Sequence, residues 1–182
     1  MTPLLTDSHC HLDRLDLTVF ENGIAGALSQ AREEGVGRFL CVCIDLENFE
    51  AVLDVARRFD DVYASVGVHP NEQGGHEPTA GDLIDRAADP AVVAIGETGL
   101  DYFRSEGDLA WQRERFRTHI ASAKECGKPL IVHSRAARED TLAILAAEPA
   151  GEVGGVMPSF AAHWEPPRRA LALGVYLSFH GI

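Results

Sequence analysis

The first residues that could do chemistry are two histidines near the start of the chain, in the run Asp7-Ser8-His9-Cys10-His11. Side chains alternate in direction along a strand, so His9 and His11 would project from the same face if this run is extended. Two imidazoles on one face can bind a single metal ion. The same pair could also be hydrogen-bonded residues of an ordinary core, so ligands elsewhere in the chain must decide between the two interpretations.

Three further ligand-type side chains follow other apolar runs: His69 after the third run, Glu97 at the end of the fourth and His133 at the end of the fifth. In a parallel barrel the C-terminal strand ends meet on one rim, where barrel enzymes assemble their active sites. Each residue also has a purely structural interpretation, since His69 could orient the turn before Pro70, Glu97 could accept backbone N–H groups and His133 could be a satisfied core histidine. Their shared position at strand ends favours a metal site.

The elements that must position these residues alternate along the chain, with short β-rich runs between helix-length amphipathic segments. This alternation predicts βα units around a parallel sheet, and the nearly all-apolar runs are typical of strands covered on both faces. The predicted strands are 4–10, 38–44, 62–68, 92–97, 130–133, 153–157 and 175–179. About six helices are expected between them, including apolar residues at helical spacing over 46–59 and over 109–123, with Gly127 as a C-terminal stop.

Composition predicts one globular domain spanning residues 1–182. Hydrophobic residues make up 46% and charged residues 24% of the chain, and the mean hydropathy is -0.06. These values argue against disorder and against a membrane span. No basic segment precedes the short apolar start, and Asp7 interrupts it, so we expect no signal peptide and a cytoplasmic protein. The four cysteines, Cys10, Cys41, Cys43 and Cys126, form no CxxC pair and are predicted to be free thiols.

The net charge of -12 limits how the chain could bind nucleic acid. Nonspecific binding of phosphates normally depends on Lys and Arg, which displace counterions. A phosphate-bearing substrate would therefore need local help, which bound metal cations could supply.

Five motifs, DSHCHLD, GVHP, GETGLDY, KPLIVHSR and the terminal GVYLSFHGI, resemble those of the TatD-related metal-dependent deoxyribonucleases in order and spacing. The resemblance extends over the whole chain. It implies a (β/α)8 TIM-type barrel of the amidohydrolase-like superfamily. It also implies a divalent-metal hydrolase that cleaves DNA phosphodiester bonds with metal-activated water, with exonuclease-type activity.

The resemblance also implies roles for individual residues. His9 and His11 would hold one metal ion, Glu97 would bridge two ions as the catalytic carboxylate, and His133 would ligate the second. The polar shell around the substrate phosphate would comprise His69, Asp101 and Arg135. Mixed imidazole and carboxylate ligands suit Mg, Mn or Zn, and two such ions could activate water and clamp both oxygens of an in-line displacement. Asp13 and Asp101 are candidates for orienting the ligand histidines.

Two departures from the family pattern affect these expectations. Where the family has a histidine after the sixth strand, this chain has Pro158, which has no ligating atom; His163 lies further on and is expected in a loop. A barrel of this class runs to about 250 residues. We therefore expect about seven βα units, without the family's eighth unit and its late metal-binding aspartate.

Alternative functions therefore remain. The chain could be a catalytically impaired or inactive remnant or binding module of the family. It could also be a phosphotriesterase, lactonase or amidohydrolase acting on a small molecule, because a shared fold does not fix a substrate. Such relatives typically bridge their metals with a carbamylated lysine, so Glu97 at this position favours the deoxyribonuclease branch. Nothing in the helices marks a subunit interface.

Overall fold

In the computed structural model of the chain, the described residues are 5–148, 150–158 and 165–179. Within these residues, seven parallel strands form one sheet in the order in which they occur along the chain, and the sheet curls into a nearly closed barrel. The strands are β1 (Leu5–Cys10), β2 (Val36–Cys41), β3 (Val62–Val66), β4 (Val92–Asp101), β5 (Leu130–Arg135), β6 (Gly155–Pro158) and β7 (Val175–Ser178). The predicted alternation around a parallel barrel is confirmed.

In the described part of the chain, six α-helices follow the first six strands: α1 (Ile24–Glu33), α2 (Phe49–Arg58), α3 (Ala80–Ala87), α4 (Ala110–Cys126), α5 (Arg138–Ala147) and α6 (Glu165–Ala172). Local sequence explains where several of them begin and end. The side chains and backbones of Thr79 and Asp82 form a reciprocal capping box at the start of α3. Gly127 adopts a left-handed conformation, with φ of 63°, and ends α4 as predicted.

The fourth strand is longer than the sequence indicates. After an irregularity between Ile95 and Thr98, its pairing with β5 resumes and continues until Asp101 lies opposite Arg135. Glu97 therefore lies within this irregularity and not at the end of the strand. The prediction ends the strand at Glu97, whereas pairing of Gly99 with His133 and of Asp101 with Arg135 continues it.

Alternate residues of the strands face two different apolar layers. Phe39 and Cys41 of β2 belong to the large core between the sheet and the helices. Leu40, Val42, Ala94 and Ile131 form a smaller buried cluster, which lies on the opposite face of the sheet, inside the barrel. Burial on both faces accounts for the nearly continuous apolar strands, at about 1.5–3 kcal/mol for each fully buried large side chain.

The barrel is open on one side, between its two edge strands. β1 and β7 border a cleft of about 730 Å³, which is lined by His9 and Asp7 on one wall and by residues 176–179 on the other. Tyr176 on the β7 wall is 73% exposed.

The described segments contain no helix that is long and apolar enough to cross a membrane. All four cysteines are free thiols, as expected.

Candidate metal centre

Glu97 lies at the centre of the predicted site, and its side chain is almost completely buried, with the residue 5% exposed. Its Oε2 atom is 3.2 Å from Nε2 of His9, and its Oε1 atom is 3.0 Å from Nδ1 of His133. Its backbone N–H donates to the carbonyl of Cys43 over 2.8 Å. The hydroxyl of Ser65 donates to the carbonyl of Gly96 over 2.6 Å. The carboxylate is thus fixed with each oxygen facing a different histidine.

Two groups of potential metal ligands share this carboxylate. The first comprises His9, His11 and Glu97, and the second comprises His69, Glu97 and His133. Within each group the ligand atoms lie within 4.8 Å of one another. The structure therefore brings together all four residues that the sequence analysis singled out as metal ligands, with His69 beside them.

A glycine allows β4 and β5 to approach closely beside these ligands. Gly99 pairs with His133 and has φ of +132°, a conformation that side chains rarely adopt. A Cβ atom at this position would lie 2.0 Å from the carbonyl oxygen of His133. The absence of a side chain at Gly99 therefore helps to hold His133 against Glu97.

The ring of His11 is oriented by the backbone. Its Nδ1 atom is 3.0 Å from the carbonyl oxygen of Val42, which can only accept, so a neutral ring carries its proton on Nδ1 and leaves Nε2 free to ligate. Asp13, suggested from sequence as an orienting acceptor, lies elsewhere: it pairs with Arg14 over 3.3 Å and accepts from the thiol of Cys41. The chain enters a short 3-10 turn at Leu12, which directs Asp13 toward β2.

Asp101 orients His133, as the sequence analysis suggested. Its Oδ2 atom is 3.1 Å from Nε2 of His133 and also accepts from the amide of Asn71 over 2.8 Å. Burial opposes ionisation of Asp101, but the N–H of Arg104, the amide of Asn71 and His133 together hold its pKa below the usual value. Because an ionised carboxylate can only accept, the Nε2–H group of His133 donates the hydrogen bond to Oδ2 of Asp101.

The contact between His133 and Glu97 shows that these residues fit a metal ion. With its proton on Nε2, His133 presents the lone pair of Nδ1 to the Glu97 Oε1 atom, 3.0 Å away. Two lone pairs at this distance repel each other unless a proton or a cation lies near both. Burial opposes ionisation of Glu97, but hydrogen bonds from His133, when its Nδ1 carries a proton, and from His9 outweigh burial, and the pKa of Glu97 falls well below its usual range. An ionised carboxylate between imidazoles is a suitable donor set for a divalent ion.

His69 has the opposite proton arrangement. Its Nδ1 atom accepts the backbone N–H of Asn71 over 3.1 Å, so a neutral ring carries its proton on Nε2. Burial lowers the pKa of His69 to about 4, with His133 adding to the effect and Glu97 opposing it. The ring is therefore a neutral N–H donor beside the cluster, with Nε2 3.3 Å from Nδ1 of His133. This geometry suits contact with a substrate oxygen.

Helix α4 supports the loop that carries His69, and the sequence analysis did not assign this role. His119 is fully buried; its Nε2 atom accepts the N–H of Val68 over 3.0 Å, and its Nδ1 atom donates to the carbonyl of Arg115 over 2.8 Å. The Arg115 guanidinium donates to the carbonyls of His69 and Glu72 over 2.9 and 2.6 Å, and it pairs with Glu77.

The same helix also holds the end of β4. The side-chain amide of Gln112 accepts the N–H of Asp101 over 3.0 Å and donates to the Asp101 carbonyl over 3.2 Å. Gln112, Arg115 and His119 are buried polar residues at helical spacing. That spacing on an otherwise apolar helix face is the sequence signal that could have revealed them.

Arg135 and Pro158 complete the set of predicted positions. Arg135 is exposed at the end of β5, with its guanidinium carbon 4.1 Å from the centre of the Phe103 ring. Pro158 ends β6 opposite Ser178 and offers no metal-binding atom. His163 lies outside the described residues.

Fold and site together are those of the barrel-type metal-dependent hydrolases. Residues 6–182 match the family model described as TatD related DNase, and the chain belongs to that family. It is 41% identical to the uncharacterized metal-dependent hydrolase YcfH of Escherichia coli K12, over 98% of this chain and 67% of the relative. It is 35% identical to YabD of Bacillus subtilis 168, another uncharacterized metal-dependent hydrolase, over 98% of this chain and 69% of the relative.

A more distant relative and a solved structure agree with this assignment. The 3'-5' ssDNA/RNA exonuclease TatD of Edwardsiella piscicida is 30% identical over 89% of this chain and 63% of its own length. The crystal structure of YJJV, a TatD homologue from Escherichia coli K12, superposes with a TM-score of 0.81 at 26% identity, covering 94% of this chain and 66% of that one. The chain thus spans about two thirds of the length of these relatives.

Proposed function

We propose that this metal-dependent hydrolase cleaves phosphodiester bonds of DNA. The observation that carries the proposal is the position of Glu97, which offers one carboxylate oxygen to the His9 side and the other to the His133 side. A carboxylate shared between two groups of ligands is the arrangement that two-metal phosphodiester hydrolysis uses. The Edwardsiella piscicida relative, named as a 3'-5' ssDNA/RNA exonuclease, also supports a nucleic-acid substrate.

Four residues would bind the metal ions, and a fifth orients one of them. His9, His11, Glu97 and His133 would hold one or two divalent ions (Mg, Mn or Zn), which when bound would supply an activated water and neutralise phosphate charge. Asp101 fixes the ring of His133 through Nε2, so that Nδ1 faces the ligand cluster.

The surrounding residues would bind the substrate. The Nε2–H group of His69 would donate to a non-bridging phosphate oxygen, because Asn71 occupies its other nitrogen. Arg135 would pair with a neighbouring phosphate, since a guanidinium matches the geometry of phosphate oxygens. With a net charge of -12, the protein would depend on Arg135 and on the bound cations to attract DNA.

Hydrolysis of an end-labelled single-stranded oligonucleotide tests the proposal. We expect cleavage with added Mg²⁺, Mn²⁺ or Zn²⁺ and none with a chelator. Glu97→Gln, which removes the charge at constant size, should lower the rate by at least about 100-fold, since it alters both groups of ligands at once. Glu152→Gln is the matched control, because Glu152 is an exposed carboxylate that pairs with Lys124 over 3.4 Å. Equal rates in the two variants, or cleavage that a chelator leaves unchanged, would contradict the assignment.

A further inference from the structure

We propose that Phe103 is a stacking platform for one unpaired base of the substrate strand, which makes it a specificity-determining residue for single-stranded nucleic acid. The inference rests on the proposed function and adds a residue to it. The side chain of Phe103 is 65% exposed, although it lies beside a polar centre. A single exposed apolar residue is common on protein surfaces, but Phe103 is held at a particular place on the rim by two neighbouring residues, Asp101 and Arg135.

The backbone of Phe103 is tied to the metal-binding cluster through one carboxylate. Oδ1 of Asp101 accepts the N–H groups of Phe103 and Arg104 over 3.0 and 3.1 Å. Oδ2 of the same carboxylate is 3.1 Å from Nε2 of His133. The position of Phe103 is therefore fixed relative to the ligand histidine, on the same rim.

The ring is held by Arg135 from the neighbouring strand. Arg135 lies opposite Asp101 in the sheet, and its carbonyl accepts the N–H of Tyr102 over 2.9 Å. Its guanidinium carbon is 4.1 Å from the centre of the Phe103 ring. Such a cation–π contact is worth about 0.5–1 kcal/mol at an exposed site, enough to favour one orientation of the ring.

Arg135 also relates the ring to the reacting centre. Strand residues two apart project from the same face, so Arg135 shares the face of His133 and of Ile131, which lies in the apolar cluster inside the barrel. If a phosphate of the substrate binds near His133, the next nucleotide of the substrate strand would therefore lie beside a guanidinium and an exposed aromatic ring.

The chemistry of this pair indicates the ligand. Phe103 has no hydrogen-bonding group, so it offers only an apolar surface that any base can cover. Stacking of this kind tolerates sequence variation and contributes about 1–3 kcal/mol per base in proteins that bind single strands. A base within a duplex is covered by its neighbours, so the ring would favour an unpaired strand, with Arg135 binding its phosphate.

The test uses fluorescence anisotropy of a labelled oligothymidylate 12-mer in chelator, where no cleavage takes place. We expect Phe103→Ala to weaken binding by about 5- to 150-fold, the range that corresponds to stacking of one base. Phe103→Trp should restore the affinity, and quenching of the new indole by the oligonucleotide would report direct contact. Leu171→Ala is the control, since Leu171 is an exposed apolar residue on α6.

Two further measurements separate stacking from charge. An abasic 12-mer should bind the unaltered protein and Phe103→Ala equally. The slope of log affinity against log salt should not change in Phe103→Ala, and it should fall by about 0.7 in Arg135→Ala, as expected for the loss of one phosphate contact.

The result separates this inference from the proposed function. Equal affinity of the unaltered protein for the thymidylate and abasic strands, including no measurable binding of either, would overturn the stacking role even if metal-dependent cleavage is observed. Base-dependent binding through Phe103 without metal-dependent cleavage would retain the stacking role and contradict the hydrolase proposal.

Discussion

Nε2 of the buried His119 accepts the backbone N–H of Val68 over 3.0 Å, so helix α4 holds the residue that precedes His69. The second nitrogen of the ring donates to the carbonyl of Arg115, so both nitrogens are satisfied in the neutral form. Protonation would remove the acceptor for Val68 and place a charge in a fully buried position. This contact therefore links the protonation of one helix residue to the placement of a site loop.

Stability should depend on pH through His119. Burial lowers its pKa to about 4, against an ordinary value of 6.5, so the unfolded chain takes up the proton first as the pH falls. The contribution of the neutral ring is complete above about pH 6.5 and is lost progressively toward pH 4, by about 3 kcal/mol in total. Urea unfolding at several pH values should show that His119→Gln lies below the unaltered protein at pH 7.5 and that the gap narrows in acid. His76→Gln, at an exposed histidine, is the control variant. A constant gap for His119→Gln would contradict the assignment.

Arg115 should contribute to stability through the carbonyls that it binds. Arg115→Met removes the donors to the carbonyls of His69 and Glu72, and we expect a loss of about 2 kcal/mol in the free energy of unfolding. Arg117→Met on the same helix is the matched control, because Arg117 is exposed and its ion pairs are at the surface. That control should cost less than about 0.5 kcal/mol. Urea denaturation of both variants measures the difference. Similar losses would show that the two hydrogen bonds to these carbonyls do not contribute measurably to the free energy of unfolding.

Asp101 should affect metal affinity without being a ligand. Asp101→Asn would place an amide nitrogen where Oδ2 now accepts from Asn71 and His133, or where Oδ1 accepts two backbone N–H groups. The ring of His133 would lose its fixed orientation, and affinity for Mn²⁺ or Zn²⁺ by titration calorimetry should fall about 10- to 100-fold. Asp108→Asn, at an exposed carboxylate that pairs with Arg113, should bind the metal as the unaltered protein does. Undiminished affinity in Asp101→Asn would show that the backbone alone orients His133.

Gly99 should tolerate no side chain. In Gly99→Ala the new Cβ would lie 2.0 Å from the carbonyl oxygen of His133, in a backbone conformation that is itself strained. Strain and steric overlap together predict a loss of at least about 2 kcal/mol. Gly107→Ala separates the two effects, since Gly107 also has positive φ, of +80°, but has open space around it. Thermal unfolding should show a smaller loss of stability in Gly107→Ala. Equal losses would show that the close approach of β4 and β5 does not contribute to the effect of Gly99→Ala.

Local sequence pattern predicted the parallel βα sheet and singled out ligand-type residues near strand ends, and the family resemblance implied that the sheet closes into a barrel. Strands covered on both faces are nearly all apolar, so His9, Glu97 and His133 were conspicuous near the ends of such runs. The structure brings them together as the common rim of a parallel barrel requires.

What local pattern did not show depends on contacts between distant parts of the chain. The continuation of β4 to Asp101 depends on pairing with β5, and the acceptor for His11 is a backbone carbonyl, which no residue type reveals. His119 had no visible partner in the sequence, because it binds the backbone of Val68 on another element.

The two side-chain acceptors on α4 have a consequence for the dynamics of the protein. The amide hydrogen of Val68 is bound by His119, and that of Asp101 is bound by Gln112, less than two turns earlier on the same helix. Neither amide hydrogen can exchange with solvent until α4 moves away from the sheet and these two hydrogen bonds break. Both hydrogens should therefore exchange with deuterium in a single opening event, so that the loop of His69 and the end of β4 behave as one cooperative unit.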